Sequence, residues 1–370
     1  MGKHLVLIGG GHAHMVTLAK LHTFTDVGHQ VTVIGPSDHH YYSGMGPGML
    51  GKTYAPDDIR FRTRHVVAKQ GGTFIRDEAV GIDPKAQKIF LKSGDPVAYD
   101  VASCNAGSQV PKAMVTADAG SVFTVKPIER LQEAQTRIQS LMAGRNVRIA
   151  IVGGGSSATE IAGNIWQLGQ ILGGYKPQVH IYTSRRLMEG FPRRVHQKCW
   201  QVLTRRGIHI HENMPVDKID GGGIHLTTGT TDPADLIFMA VGVKPSPIFA
   251  ASNMAVGPDG GLAVNQYLQS IEWGNIFGGG DCIHFSPQPL DKVGVYAVRE
   301  NPVLFANLTA ALNGGELTSF DPGGDYLLIF NLGGGKGVLH KARMTFSGKI
   351  AFRIKDYIDC RFIKEFQAIE

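Results

Sequence analysis

Cysteine is scarce: Cys104, Cys199, Cys282 and Cys360 are the only four in 370 residues, far apart and without a CxxC pair. That spacing excludes a disulfide framework and a zinc-ligand pattern, and it suits a reducing, cytoplasmic compartment. Long apolar runs are absent too, since no stretch approaches the roughly 18 residues that a membrane-spanning helix needs. The N-terminal residues lack the charged region, apolar core and cleavage site of a secretory leader. The chain carries a net charge of +6. Lys and Arg nevertheless form no block and no stripe interleaved with aromatics, so a nucleic-acid partner is not expected. The 15 histidines include His39-His40 and the pair His209 and His211, but strand-period spacing without a third ligand predicts no metal site.

Glycine is plentiful, with 48 residues gathered in runs. A chain of this length exceeds what one core usually serves and predicts several domains. An apolar run at residues 4–9 ends in glycines, leads into a helical pattern to about Leu21 and is followed by the run Val31 to Ile34. This strand, helix, strand unit returns at Val147 to Val152, with a helix to about Leu172 and the run Val179 to Tyr182. Between the copies, residues 79–92 and 97–106 read as a small antiparallel insertion and a returning strand, and Pro127 to Met142 as a helix. Ala234 to Val241 and Ile276 to Asp281 read as further buried strands, and from about Tyr326 the pattern changes to short strands and a helix, Lys355 to Gln367.

Two loops carry the chemistry. Gly9-Gly10-Gly11-His12-Ala13-His14 places glycines at the first two positions of GxGxxG between a strand and a helix, where the backbone can approach a pyrophosphate at a helix N-terminus. His14 replaces the third glycine, and Asp38 stands beyond the usual place of the ribose-binding acid. Gly153-Gly154-Gly155-Ser156-Ser157-Ala158 matches GxGxxA throughout. The strand after it ends in Thr183-Ser184-Arg185-Arg186, where arginine can receive a 2′-phosphate or form an ordinary solvated turn.

With both loops, Asn105-Ala106-Gly107-Ser108, Ala240-Val241-Gly242-Val243-Lys244-Pro245 and Asn275 to Asp281 in order, the chain resembles the two-dinucleotide-domain flavoproteins: type II NADH dehydrogenases, sulfide:quinone reductases and disulfide reductases. Tyr42-Ser43-Gly44-Met45, Lys126-Pro127, Lys292 to Glu300 and the tail from Lys355 resemble a subfamily sometimes fused to selenide, water dikinase. The resemblance implies an α/β fold with two Rossmann-like domains and a small C-terminal α+β module. The FAD-binding domain would be discontinuous, residues 1–112 and 247–325, around an NAD(P)-binding domain at 113–246, with the C-terminal module at 326–370. It implies FAD contacts at Gly9, Gly11, His12, Ala13, Asp38, Ser43, Gly44, Val80, Ala106, Gly107, Asp281, Gly294 and Ala297. Nucleotide contacts would fall at Gly153, Gly155, Ser157, Arg185 and Gly242.

In the same resemblance, the helix starting near Gly294 points its N-terminus at the flavin, with Lys292 adding positive charge, and Glu160 lies near the nicotinamide as a functional acid. Each residue also has a plainer reading, as a solvated lysine or a glutamate complementing a helix dipole. The implied activity is hydride transfer from NAD(P)H to FAD, and electron transfer on to a quinone or other small acceptor. Two alternatives stay open: a sulfide or thiol oxidoreductase using Cys282 or Cys360, and a flavin module serving a protein partner, in selenium metabolism among other settings. Residues 12–23 lack the cysteine pair of the disulfide reductases. In the tail, Ile358, Phe362 and Phe366 recur every fourth residue, with Lys355, Arg361 and Lys364 on other faces. Such a helix is compatible with peripheral contact on the inner face of a membrane, with packing on the flavin domain, or with a homodimer partner.

Overall fold

The computed structural model describes residues 2–116 and 120–370. Two five-stranded parallel sheets carry the molecule, and four neighbouring strands of each follow one order, while the remaining edge strand comes last in the chain in the first sheet and first in the second. The first runs Ile276–Gly278, Val101–Cys104, His4–Ile8, Gln30–Gly35, Thr73–Arg76. The second runs Val122–Thr124, Leu236–Met239, Val147–Val152, Pro177–Tyr182, His209–His211. The central strands are buried and nearly all apolar, as parallel strands covered on both faces must be. In each sheet the strand before the glycine loop has the next strand on one side and a later, returning strand on the other. Both glycine loops therefore open at a topological switch point, where α/β sheets bind ligands.

The duplication extends further than the sequence pattern indicates. A three-stranded antiparallel meander, Ala79–Asp83, Lys88–Leu91 and Pro96–Ala98, returns the chain in the first unit. Val216–Asp220, Gly223–Leu226 and Thr231–Asp232 do the same in the second. The second meander escapes sequence reading because its strands sit in a Gly- and Thr-rich stretch with little alternation. The two crossovers also meet, Ser108–Gln109 pairing antiparallel with Lys244–Pro245. We propose that this ribbon marks the domain boundary; of the linker expected around 110–125, residues 117–119 lie outside the described residues.

Two expectations need correction. The helix after the first glycine loop is not continuous to Leu21: a 3-10 turn at His12–His14 precedes the short helices Met15–Ala19 and His22–Thr25. His14 is the reason, because its fully buried ring bonds Gly9 O at 2.6 Å and Ser103 Oγ at 2.8 Å, so a side chain fills the place of the third glycine. The C-terminal helix runs Lys349–Gln367, beginning well before Lys355, directly after Gly348 with φ 130°.

That helix follows the three-stranded sheet Leu328–Asn331, Gly337–Lys341 and Met344–Gly348. The module shares its core with the second domain, Phe330, Leu332, Ile363 and Phe366 joining Ile161, Ile165 and Leu168. Its buried stripe is Ala351, Asp359, Ile363 and Phe366, whereas Ile358 is exposed. Lys355, expected on a face other than the apolar stripe, is nearly buried and pairs with Asp359 at 2.8 Å. Phe366 belongs to both stripes and Phe362 packs partly buried against the core, so Ile358 alone leaves the expected face; the ion pair lets Asp359 face inward.

Candidate functional site: two glycine loops and the ribbon between them

Asn105 organises the first loop. Gly9 has φ 88°, and a Cβ there would lie 2.3 Å from Asn105 O. A Cβ on Gly11 would lie 2.3 Å from Asn105 Oδ1. Only glycine fits either position. Asn105 Nδ2 donates to Gly279 O at 2.7 Å, tying the loop to the segment that ends in Asp281. Ala13 is buried behind the loop, and Ala106 and Gly107 (φ 68°) continue from Asn105. Asn105 belongs to the first crossover motif, where no local pattern marks its side chain for this role.

Asp281 lies in the turn Gly280–Cys282, with Lys126 Nζ at 2.5 Å and Ser108 Oγ donating to it at 2.7 Å. Burial raises the Asp281 carboxyl, but Lys126 and Ser108 outweigh burial and hold it below the usual range. Glu300, also unassigned from sequence, accepts from Gly280 N, and burial pushes its carboxyl up to about 7. Ala297, in the first turns of the helix Gly294–Asn313, packs beside Gly280. Lys292, expected to add positive charge near the flavin, pairs with Asp259 at 2.7 Å and donates to Ile283 O.

His12 sits among His40, Tyr42 and Phe362, with ring centroids at 5.0, 5.0 and 6.0 Å. Burial, reinforced by Lys126, pushes its imidazole down to about 4, so the ring is neutral. Ser43 and Gly44 form a turn beside Tyr42. Asp38 lies between Arg64 at 3.6 Å and Arg76 at 3.7 Å, while Gly35 ends the strand where the ribose-binding acid was sought. Val80 is exposed on the first meander.

At the second loop, a Cβ on Gly153 (φ 132°) would lie 2.0 Å from Ala240 O, and one on Gly154 would lie 2.1 Å from Thr183 Oγ1. Gly155 instead faces open space, and Ser157 stands in the first turn of the helix Ser156–Leu172. Gly242 has φ 92° with open space around it, and Arg185 is exposed and 3.4 Å from Glu189. Glu160 is partly buried and accepts from Asn331 N at 2.7 Å, which turns it toward the C-terminal module. Burial raises its carboxyl to about 7 against the opposing pull of Lys355.

A dinucleotide fits the first loop on the structure's own terms. Among the described residues, the buried atoms His12 Nε2 and Asn105 Oδ1 have no hydrogen-bond partner, and they flank glycines that carry no side chain. Buried polar atoms left over by the protein call for a ligand or water. The thiols offer no comparable chemistry: burial raises Cys104 well above the ordinary range and Cys282 to about 12, and Cys282 Sγ is spent on Cys104 O at 3.3 Å.

Residues 3–299 match the pyridine nucleotide-disulphide oxidoreductase family. Ferroptosis suppressor protein 1 of Taeniopygia guttata is 24% identical over 90% of this chain and 87% of its own length. The type II NADH:quinone oxidoreductase of Staphylococcus aureus is 21% identical over 98% of this chain and 95% of its own. The structure of NDH2 from Plasmodium falciparum in complex with NADH superposes with a TM-score of 0.80 at 13% identity, over 99% of both chains. With a family match across both glycine loops and the fold to go with it, the chain belongs to the pyridine nucleotide-disulphide oxidoreductase family and is an FAD-dependent oxidoreductase with NAD(P)H as co-substrate.

Proposed function

We propose that this protein takes a hydride from NAD(P)H onto FAD and passes the electrons to a quinone or another small acceptor. The carrying observation is the repeated switch-point architecture, two sheets with the same order of four strands around each glycine loop, joined through paired crossovers. FAD at the first loop would supply the redox chemistry, and the protein would supply orientation and electrostatics. Gly9, Gly11, Ala13, Ala106 and Gly107 would admit the pyrophosphate, and His12 Nε2 and Asn105 Oδ1 would bond the cofactor. Asp281, kept ionised by Lys126, would accept from its hydroxyl groups. The N-terminus of the helix at Gly294 adds partial positive charge. Glu160, with its carboxyl near 7, can hold or release a proton at neutral pH.

A quinone acceptor is supported by the Staphylococcus aureus relative, which is by name an NADH:quinone oxidoreductase. No helix among the described residues is long and apolar enough to cross a membrane. The C-terminal helix exposes Ile350, Tyr357 and Ile358 beside Arg353 and Arg361, which supports peripheral contact with an anionic membrane face.

The test is anaerobic stopped-flow absorbance of FAD-loaded protein mixed separately with NADH, NADPH and sulfide. Rapid bleaching of the flavin band by a nucleotide is expected. Bleaching by sulfide but by neither nucleotide overturns the reading.

A further inference from the structure

The end of the second domain's nucleotide-facing strand is set by register. Val152 pairs with Tyr182, and Gly153 N donates to Tyr182 O at 2.8 Å, so Thr183 is the residue beside the glycine loop. In a site selective for the unphosphorylated nucleotide, a carboxylate here accepts from the adenosine ribose 2′-hydroxyl. Thr183 is buried and its hydroxyl is turned inward against Gly154. No acid therefore stands at this position.

The segment after Thr183 folds back over the loop, with Met188 N donating to Gly154 O at 2.6 Å. This brings Arg185 and Arg186 to the edge of the glycine loop. Arg186 Nε is buried and has no hydrogen-bond partner among the described residues. Arg185 is exposed and lies 3.4 Å from Glu189, a solvated pair that a phosphate can displace at little cost. The other nearby carboxylate, Glu212, is occupied: its Oε1 accepts from Leu187 N at 2.7 Å and lies 3.8 Å from His196. Among the described residues the site thus has two guanidinium groups and no free acid at the ribose edge, the arrangement that suits a doubly charged phosphate, whose oxygens the planar guanidinium can meet in pairs.

We infer that the second glycine loop selects the 2′-phosphorylated nucleotide, NADPH, over NADH, through Arg185 and Arg186. This rests on the dehydrogenase reading above only for the direction of hydride flow, not for the binding.

The test is calorimetric titration of the FAD-loaded protein with NADP⁺ and NAD⁺, paired with kcat/KM for NADPH and NADH. It is run on the wild type and on Arg185→Ala, Arg186→Ala and Thr183→Glu, with a thermal melt of each variant. Because each guanidinium makes charge-assisted bonds to the phosphate, NADP⁺ should bind at least roughly tenfold tighter than NAD⁺, and each arginine variant should cut that advantage by about tenfold. Thr183→Glu should reverse the preference; if it does not fold, the arginine variants, both altered outside the core, decide alone. Equal or tighter binding of NAD⁺, no binding of either nucleotide, or an advantage unchanged in both arginine variants overturns the inference. If NADP⁺ binds through the arginines yet neither reduced nucleotide bleaches the flavin, the dehydrogenase reading falls and the nucleotide assignment stands.

Discussion

Lys126 Nζ and Asp281 Oδ2 meet at 2.5 Å, although 155 residues separate them in the chain. The contact ties the start of the second domain to the turn beside the first glycine loop, with Ser108 from the crossover bonded to both partners at 2.9 and 2.7 Å.

Breaking that pair from one side leaves a largely buried carboxylate uncompensated. Lys126→Met should lower stability by about 3 kcal/mol, and adding Asp281→Asn should restore much of it. Urea unfolding of the four forms of this double-mutant cycle checks it. Because Asp281 is held below its ordinary range, its contribution is present above the unfolded value near pH 4 and fades as pH falls further. The double variant should therefore lose less stability than the wild type in that acid range.

Burial raises Glu160 and Glu300 to about 7. From about pH 4.5 to 7 the folded protein keeps protons that the unfolded chain has released, so these two groups make stability fall as pH rises. Each contributes up to roughly 3 kcal/mol of that fall. Urea midpoints measured at pH 5 and pH 7.5 should converge in Glu160→Gln and in Glu300→Gln relative to wild type. An unchanged pH dependence in both variants would mean that the carboxyls titrate normally.

Two glycines on one helical unit separate folding from binding. Gly163→Ala drives a Cβ to 2.1 Å from Leu332 O and should detach the C-terminal sheet, with a loss of several kcal/mol, here about 3 or more. Gly155→Ala meets nothing within 4 Å and should melt like the wild type. It should nevertheless weaken nucleotide binding, because the methyl group occupies the path of the pyrophosphate. Normal nucleotide affinity in Gly155→Ala counts against the second loop as the binding site.

Cys104, Cys199 and Cys282 are buried, and Cys360 is partly exposed. Iodoacetamide under native conditions should label Cys360 alone, slowly, because burial and the neighbouring Asp356 raise its thiol to about 11. Peptide mass spectrometry reads the outcome, and fast labelling of Cys282 would reopen thiol chemistry near the first loop.

Ile350, Tyr357 and Ile358 project from the C-terminal helix into solvent. Replacing Ile350 and Ile358 together by glutamate should abolish co-sedimentation with anionic phosphatidylglycerol vesicles while the melting temperature holds. Equal sedimentation of variant and wild type removes the membrane proposal.

Much of the architecture was legible in the chain because parallel strands buried on both faces leave continuous apolar runs, and glycine loops mark their ends. Val147–Val152 was read to the residue, and the second glycine helix to its last residue, Leu172. The broken first helix was not legible, because nothing local shows that His14 finds Gly9 O and Ser103 Oγ inside the core. The inward face of the C-terminal helix was legible in part: periodicity chose Phe362 and Phe366 rightly, but Ile358 is exposed and the paired Lys355 and Asp359 turn inward instead.

The sequence by itself determined that two dinucleotide-binding units follow one another, because strand periodicity and glycine spacing are local properties of the chain. Tertiary structure alone decided what surrounds each loop. Asn105 beneath Gly11, Lys126 on Asp281 and Asn331 on Glu160 are contacts between residues far apart in the chain, and the burial that sets their charge exists only once the sheets and the C-terminal module have packed.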